Sequence, residues 1–436
     1  MRMIAAITAA AVLVGSTAIA QDAPTFPFPT SCSGVSAPRY ANKLDAGWEM
    51  TKVLGSLTQP RSIVFDPEGH MLVLQATSGI SVHTFGEDGC VASSKNLVQN
   101  AGLNHGLSLS PDGTTLYASS QTAAYSWTYD PATQALTNQK TLISGISQGI
   151  HFTRTIMVSP KNPNLVVVSV GSNNNWDYAT SSPSAGRSIV KVFDVTAAPS
   201  AGYNFNTDGT VLAYGLRNSV ALAFDPNGHV WASENSGDSF TLNNQDIHID
   251  NPAEELNYLG DPENPPADNW YGYPTCFTVW SPTPFPGLET GSQFVPQPNT
   301  TFPDHASCEA ASKPPRLSFL AHMAPITNAF HPSGSALYTT FHGSWNRQPA
   351  SGYKVLEIPF TQTAEGVYDP VPAANAQTFG VDVFAASDPA ACNSPSLTMS
   401  TCMRLAGLAW EPAGERLFVS SDNQAEGEIF VLRKKA

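Results

Sequence analysis

"LAFDPNGHVWASE", residues 222–234, reads as an apolar strand, a tight turn and a second apolar strand. Proline presets φ at the turn, and the glycine two residues later closes it. The same unit recurs as "IVFDPEGHMLVLQ" from Ile63, "LSLSPDGTTLYASS" from Leu107, "IMVSPKNPNLVVVSVG" from Ile156, "NAFHPSGSALYTTF" from Asn328 and "LAWEPAGERLFVSS" from Leu408. Five of the six copies carry the Pro-x-Gly turn. A hairpin of this kind cannot bury both faces by itself, so six copies should stack around one axis. The prediction is an all-β chain folded as a six-bladed β-propeller. A β-sandwich is the competing all-β fold, and sandwiches do not usually repeat one hairpin six times.

Composition agrees with many turns and short strands. The 436 residues are 42% hydrophobic, enough for a large core, and they include 32 Gly and 35 Pro against 13% charged residues. The opening "MRMIAAITAAAVLVGSTAIA" has Arg2, an apolar run and small residues up to Ala20. That pattern is a secretory signal peptide over residues 1–20, leaving 21–436 as one propeller domain. Its apolar run is short for a membrane anchor, and no later stretch is long enough to span a bilayer. The formal charge is −14, or −15 once Arg2 is removed, which disfavours nucleic acid and anionic membranes as partners.

Six cysteines without a Cys-x-x-Cys pair point to disulfides in an exported protein rather than to zinc. Proximity pairs Cys276 with Cys308 and Cys392 with Cys402, leaving Cys32 for Cys90. "NTT" at Asn299 is a glycosylation sequon.

Counting back from the turn prolines Pro67, Pro111, Pro160, Pro226, Pro332 and Pro412 finds polar groups in one register. They are Arg61, then Asn104 and His105, His151 and Arg154, Arg217 and Asn218, His322, and Arg404, all six to ten residues ahead of their proline. Equivalent hairpins would bring them to one end of the axis. Arginines converging there ask for an anion such as a polycarboxylate or phosphate. His151, an imidazole in the same register, suits a general base. After the fifth hairpin, "FHGSWNRQPASGYKV" offers His342, Trp345 and Arg347, with the Trp able to pack on a planar ligand. By residue type alone "SENSGDS", from Ser233, reads as an ordinary Ser/Gly/Asp turn. The longest gap between copies, rich in Pro and aromatics, reads as one wall of a pocket. Its Trp270, Tyr271 and Trp280 serve equally well as sugar platforms or as packing for that loop.

"GLRNSVALAFDPNGHVWASEN", "EELNYL" and "HGSWNRQPASGYKV" occur in an order that resembles the soluble quinoprotein dehydrogenases. These are the glucose and sorbosone dehydrogenase family, and within it the secreted fungal pyranose dehydrogenases that use pyrroloquinoline quinone (PQQ). The resemblance runs from about Tyr40 to Leu432. It implies a secreted catalytic propeller whose long loops form a cofactor pocket, and nothing in the sequence demands more than a monomer. It also implies that a pyranose is oxidised and that the electrons pass to an external acceptor.

By matching motifs, Arg217 and Asn218 would hold PQQ, with Asn104 or His105, Arg154, His342, Trp345, Arg347 and Arg404 as further contacts. His151 would be the catalytic base, and Arg217 with Ca2+ would stabilise charge on the quinone oxygen. "SENSGDS" becomes the calcium loop, with main-chain carbonyls of Ser236 and Gly237 on the ion and Asp238 assisting. Three places depart from relatives, the calcium loop being one, since its local residues differ from the bacterial pattern. Ser172 and Asn173 stand where some members have an acid that orients the base, with Asp177 a few residues on, and His342 replaces a Lys. The chain ends soon after the sixth repeat, as expected of a stand-alone form. Two other readings compete: a calcium-dependent propeller hydrolase of lactonase type, which would need several side-chain carboxylates and amides around the metal at the axis, and a non-enzymatic binding propeller.

Overall fold

The computed structural model describes residues 24–396 and 398–435, so the signal peptide expected over residues 1–20 lies outside the described residues. Each of the six repeated hairpins becomes the two inner strands of a blade with four antiparallel strands, to which the second blade adds one short parallel strand and the fifth adds two short strands. The first blade runs Pro60–Phe65, Met71–Gln75, Gly79–Phe85 and Val91–Gln99. Four more follow, with innermost strands Leu103–Leu109, Arg154–Val158, Ala221–Phe224 and Pro325–Phe330. The sixth runs Leu405–Trp410, Leu417–Ser421 and Gly427–Lys434, and takes its outer strand, Trp48–Leu57, from near the start of the chain. Register from Trp48 on Lys434 to Leu57 on Gly427 closes the ring by joining the start of the propeller to its last blade.

The turns do what their residues dictate. Gly69, Gly113, Gly228, Gly334 and Gly414 all adopt φ between 72° and 83°, the left-handed conformation that glycine enters at least cost. In the first and fourth copies the aspartate before the proline is buried and caps the turn. Asp225 accepts from the Asn227 and His229 amides and from Trp231 Nε1, and Asp66 from the Glu68 and His70 amides and from Tyr129 of the next blade.

Neighbouring blades are also stitched near the axis by side chains that donate to the next inner strand's carbonyls. Ser62 Oγ reaches His105 O at 2.5 Å, Ser119 Oγ reaches Arg154 O at 2.6 Å and Thr155 Oγ1 reaches Val220 O at 2.6 Å. Asn328 Nδ2 meets Ala221 O at 3.3 Å, Thr340 Oγ1 meets Ala406 O at 2.8 Å and Ser420 Oγ meets Pro60 O at 2.7 Å. The ring of contacts fixes how far apart the six strand entries stand.

The three disulfides pair as proximity predicts, Cys32–Cys90, Cys276–Cys308 and Cys392–Cys402. No helix among the described residues is long and apolar enough to cross a membrane.

Between Glu254–Gly260 and Leu317–Phe319 the fourth blade carries the long insertion, with the short pair Phe277–Thr278 and Gln293–Phe294, one helix, His305–Ala311, and the Cys276–Cys308 bridge. It folds onto a small core of its own, in which Phe277, Phe285 and Phe294 pack with Phe240 and Tyr273.

Candidate functional site

At one end of the axis the strand entries and exits surround a cavity of about 790 Å³. The residue just before each innermost strand lines it in all six blades: Gln59, Gly102, Thr153, Val220, Ala324 and Arg404. The residue just after each second strand lines it in five: Ala76, Gln121, Asn235, His342 and Asp422. The sixth such position is Gly171, where a Cβ would stand 2.3 Å from Asn218 Oδ1 and 2.9 Å from His151 Cβ. Its missing side chain makes room for both. A narrower channel of about 200 Å³, lined by the inner strands, includes Val220 and Ile326, which also line the large cavity.

Arg217 is the best-anchored cation of the cavity. It is 3% exposed, and its guanidinium is ringed by oxygens. NH1 donates to Ser236 O at 2.5 Å and Asn235 O at 3.3 Å, while NH2 donates to Asn175 Oδ1 at 3.0 Å and Asp238 Oδ2 at 3.1 Å. The Asp238 carboxylate also receives Asn346 Nδ2 at 2.6 Å and faces His322 Nδ1 at 3.4 Å. Burial alone would raise its pKa, but the His322 hydrogen bond and the Arg217 charge hold it well below the usual range. The loop bearing Ser236 and Asp238 is fastened from behind by Phe240, whose ring lies 2.4 Å from where a Cβ on Gly237 would be. Glu254 pins the loop from beneath, accepting the Ser236 amide at 3.0 Å, and burial pushes its pKa up to about 7.

His151 stands across from this nest on the loop entering the third blade. Its Nδ1 lies 2.9 Å from Ser172 Oγ and 3.0 Å from Ser172 O, and Ser172 Oγ itself donates to Asn174 O at 2.7 Å. Nδ1 therefore carries the proton and donates to Ser172, which leaves Nε2 as an acceptor on a ring that lines the cavity. The residue is half-buried. Burial, with the nearby Arg217 charge, holds its pKa down at about 3, so the imidazole is neutral across the ordinary pH range. Asp177 does not orient it. That carboxylate pairs with Arg187 at 2.7 Å and accepts the Asn173 amide.

A second charged cluster joins blades one, five and six. Asp422, 1% exposed, contacts Arg61 NH1 at 2.5 Å and His342 Nε2 at 2.6 Å. Burial works against its charge, yet His342 and Arg61 hold its pKa well below normal. His342 is kept neutral, at about 4, by burial and by Arg404. Arg404, 1% exposed, donates to Gly343 O at 2.7 Å and also lines the cavity. Asn104 joins the lining with its Nδ2 on Phe152 O and its buried Oδ1 without a partner. Asn218 lines the cavity as well, and Trp345, 53% exposed, stands at its rim.

Other expected contacts do not reach the cavity. His105 is the third residue of its strand, where the pleat turns it inward onto the narrower channel. Arg154 spends its donors on the backbone carbonyls of Gln121, Ser147, His151 and Thr153, and Arg347 fastens its loop to Ile249 O and Asp250. The long insertion is not a cavity wall: Tyr271 is 3% exposed, Trp270 packs on Phe302, and neither they nor Trp280 line the space.

Asp422, Asn175, Gln121 and Glu254 escaped sequence reasoning. For Asp422 and Gln121 a signal was present, since both follow a second strand as His342 does.

The model of the TrAA12-like family matches residues 42–435. The chain belongs to that family. It is 40% identical over 413 residues to the pyrroloquinoline quinone-dependent pyranose dehydrogenase of Coprinopsis cinerea, covering 93% of this chain and 56% of that protein. The chain thus spans little more than half the length of that curated relative. The solved holo form of the Coprinopsis pyranose dehydrogenase PQQ domain superposes with a TM-score of 0.89 at 39% identity, over 93% of this chain and all of that one. The calcium structure of a Trichoderma reesei family AA12 protein gives 0.83 at 35% identity, over 93% of this chain and 100% of that one.

Family membership agrees with the six blades. In the TrAA12-like chain described here, Arg61, Arg217 and Arg404 reach one cavity from the first blade, the fourth-blade entry and the sixth-blade entry. A large planar tricarboxylate such as PQQ suits that donor set, and the unpartnered Asn104 Oδ1 offers an acceptor as well. The Ser236 carbonyl and Asp238 carboxylate are oxygen donors of the kind a calcium ion takes, although both also serve Arg217.

Proposed function

We propose that this chain is a PQQ-dependent dehydrogenase that oxidises a pyranose and passes the electrons to an external acceptor. The observation that carries the reading is the convergence of three buried or half-buried arginines and one neutral, outward-open imidazole on a single cavity. The names of the relatives support the same reading. Arg217, Arg61 and Arg404 would hold the cofactor's carboxylates and quinone, with Asn104, Asn218 and His342 beside them. Ser236 and Gly237 carbonyls, helped by Asp238, would hold calcium. Bound there, PQQ supplies a two-electron acceptor.

The chain's own groups do the rest. His151 Nε2 takes the hydroxyl proton of the sugar carbon being oxidised, because Ser172 fixes the ring in the tautomer that leaves Nε2 basic. Arg217 faces the same space and stabilises negative charge that develops on its ligand. Trp345 at the rim meets the sugar or the flat cofactor. A single chain suffices, since every residue invoked comes from one copy.

The test is dye reduction by purified apoprotein with a panel of pyranoses, with and without added PQQ and calcium. Turnover that requires PQQ is the expected result, with calcium raising it. No PQQ binding and no dye reduction under any combination would overturn the reading.

A further inference from the structure

The loop that carries His151 is held by almost nothing apolar. None of residues 147–153 is buried, and its two large hydrophobic side chains, Ile150 and Phe152, are 58% and 43% exposed. Asn104 Nδ2 on Phe152 O at 2.7 Å and the Ile150 amide on Asn173 O at 3.1 Å hold its middle, while one side chain makes most of the bonds at its base. Arg154 NH2 donates to Ser147 O at 2.6 Å, NH1 to His151 O at 2.5 Å and Thr153 O at 2.8 Å, and Nε to Gln121 O at 3.1 Å. Gln121 in turn sends Nε2 to Gly149 O at 3.2 Å. The guanidinium therefore straps both ends of the loop, and the base's own carbonyl, to the second blade.

The cation is 1% exposed, has no ion pair among the described residues, and is pushed down to about 10 by burial. A buried charge compensated only by carbonyls is costly, and the planar five-donor fork of arginine suits four carbonyls on two separate segments.

We propose that Arg154 is the positioning residue for His151, holding the imidazole at its working place by strapping the loop rather than by touching cofactor or substrate. This rests on His151 acting as the base. Misplacing a reacting group by about 1 Å costs on the order of 100-fold in rate. Arg154→Met should therefore lower kcat about 100-fold in the PQQ- and calcium-loaded enzyme, while the PQQ dissociation constant changes less than about 2-fold.

The experiment is a double-mutant cycle of Arg154→Met and His151→Ala. It is read as dichlorophenolindophenol reduction with the fastest pyranose of the panel, alongside an absorbance titration with PQQ. Little or no further loss from Arg154→Met in the His151→Ala background is the expected result. Losses that simply multiply, or PQQ affinity falling in step with kcat, would overturn the proposal. Full activity of His151→Ala alone would instead overturn the base assignment itself. Should the methionine variant not fold, Arg154→Lys serves: it keeps the charge but not the fork, and intermediate kcat with unchanged PQQ affinity is expected. A lysine variant with wild-type kcat would show that the fork does not position the base.

Discussion

Gly171 shows how one absent side chain shapes the site. It occupies the position that carries His342 and Asp422 in later blades, and a methyl group there would collide with Asn218 and His151 together. Gly171→Ala should cut kcat/KM about 10- to 100-fold through displacement of those two groups, while the thermal midpoint moves little; steady-state kinetics beside a thermal melt checks both halves. Asp422 makes the complementary case. Its charge satisfies Arg61 and His342 at a buried corner of the cavity, and Asp422→Asn leaves the Arg61 charge without its counterion. A loss of about 3 kcal/mol in unfolding free energy is expected by denaturant titration. A change within about 0.5 kcal/mol would mean that water reaches this corner.

The loops were harder to read from sequence than the strands. The hairpin repeat placed six blades, because strand alternation and a Pro-x-Gly turn are local signals. It also placed the strand entries at one mouth, where Asn104, His151, Arg217, Asn218 and Arg404 do line the cavity. It did not tell which way a side chain leaves the pleat, so His105 and Arg154 were counted in the ring although one faces the inner channel and the other straps a loop. Nor did aromatic content reveal that the insertion builds its own core and braces the Ser236 loop through Phe240.

That brace makes a prediction of its own. Replacing Cys276 and Cys308 together by Ser should cost about 2–4 kcal/mol, and binding at the Ser236 loop should weaken with it, seen as a lower calcium affinity in a titration. Glu254, the other support, makes this region pH-sensitive. Its folded pKa of about 7 lies above the unfolded value near ~4.5, so the folded state favours the protonated acid. Its contribution is fully present below about pH 4.5 and is lost as pH rises through about 7. The stability of Glu254→Gln relative to wild type should therefore increase with pH across that window, measured by urea titration at several pH values. A difference that stays flat would place Glu254 in water.

At the scale of the whole molecule, the ring is closed by a strand from one end of the chain on strands from the other. Removing residues up to 57 should open the sixth blade and abolish the single cooperative melt. The closed ring brings groups far apart in sequence, Arg61, His151, Arg217 and Arg404, to one mouth. PQQ bound at that mouth should raise the melting temperature of the ring, since a ligand of the folded state stabilises it by mass action.

The most direct test is turnover by His151→Ala loaded with saturating PQQ and calcium. General-base removal predicts a fall of roughly 10²- to 10⁴-fold in kcat with PQQ affinity unchanged. Wild-type turnover in that variant would contradict the assignment of His151 as the group that takes the sugar's proton.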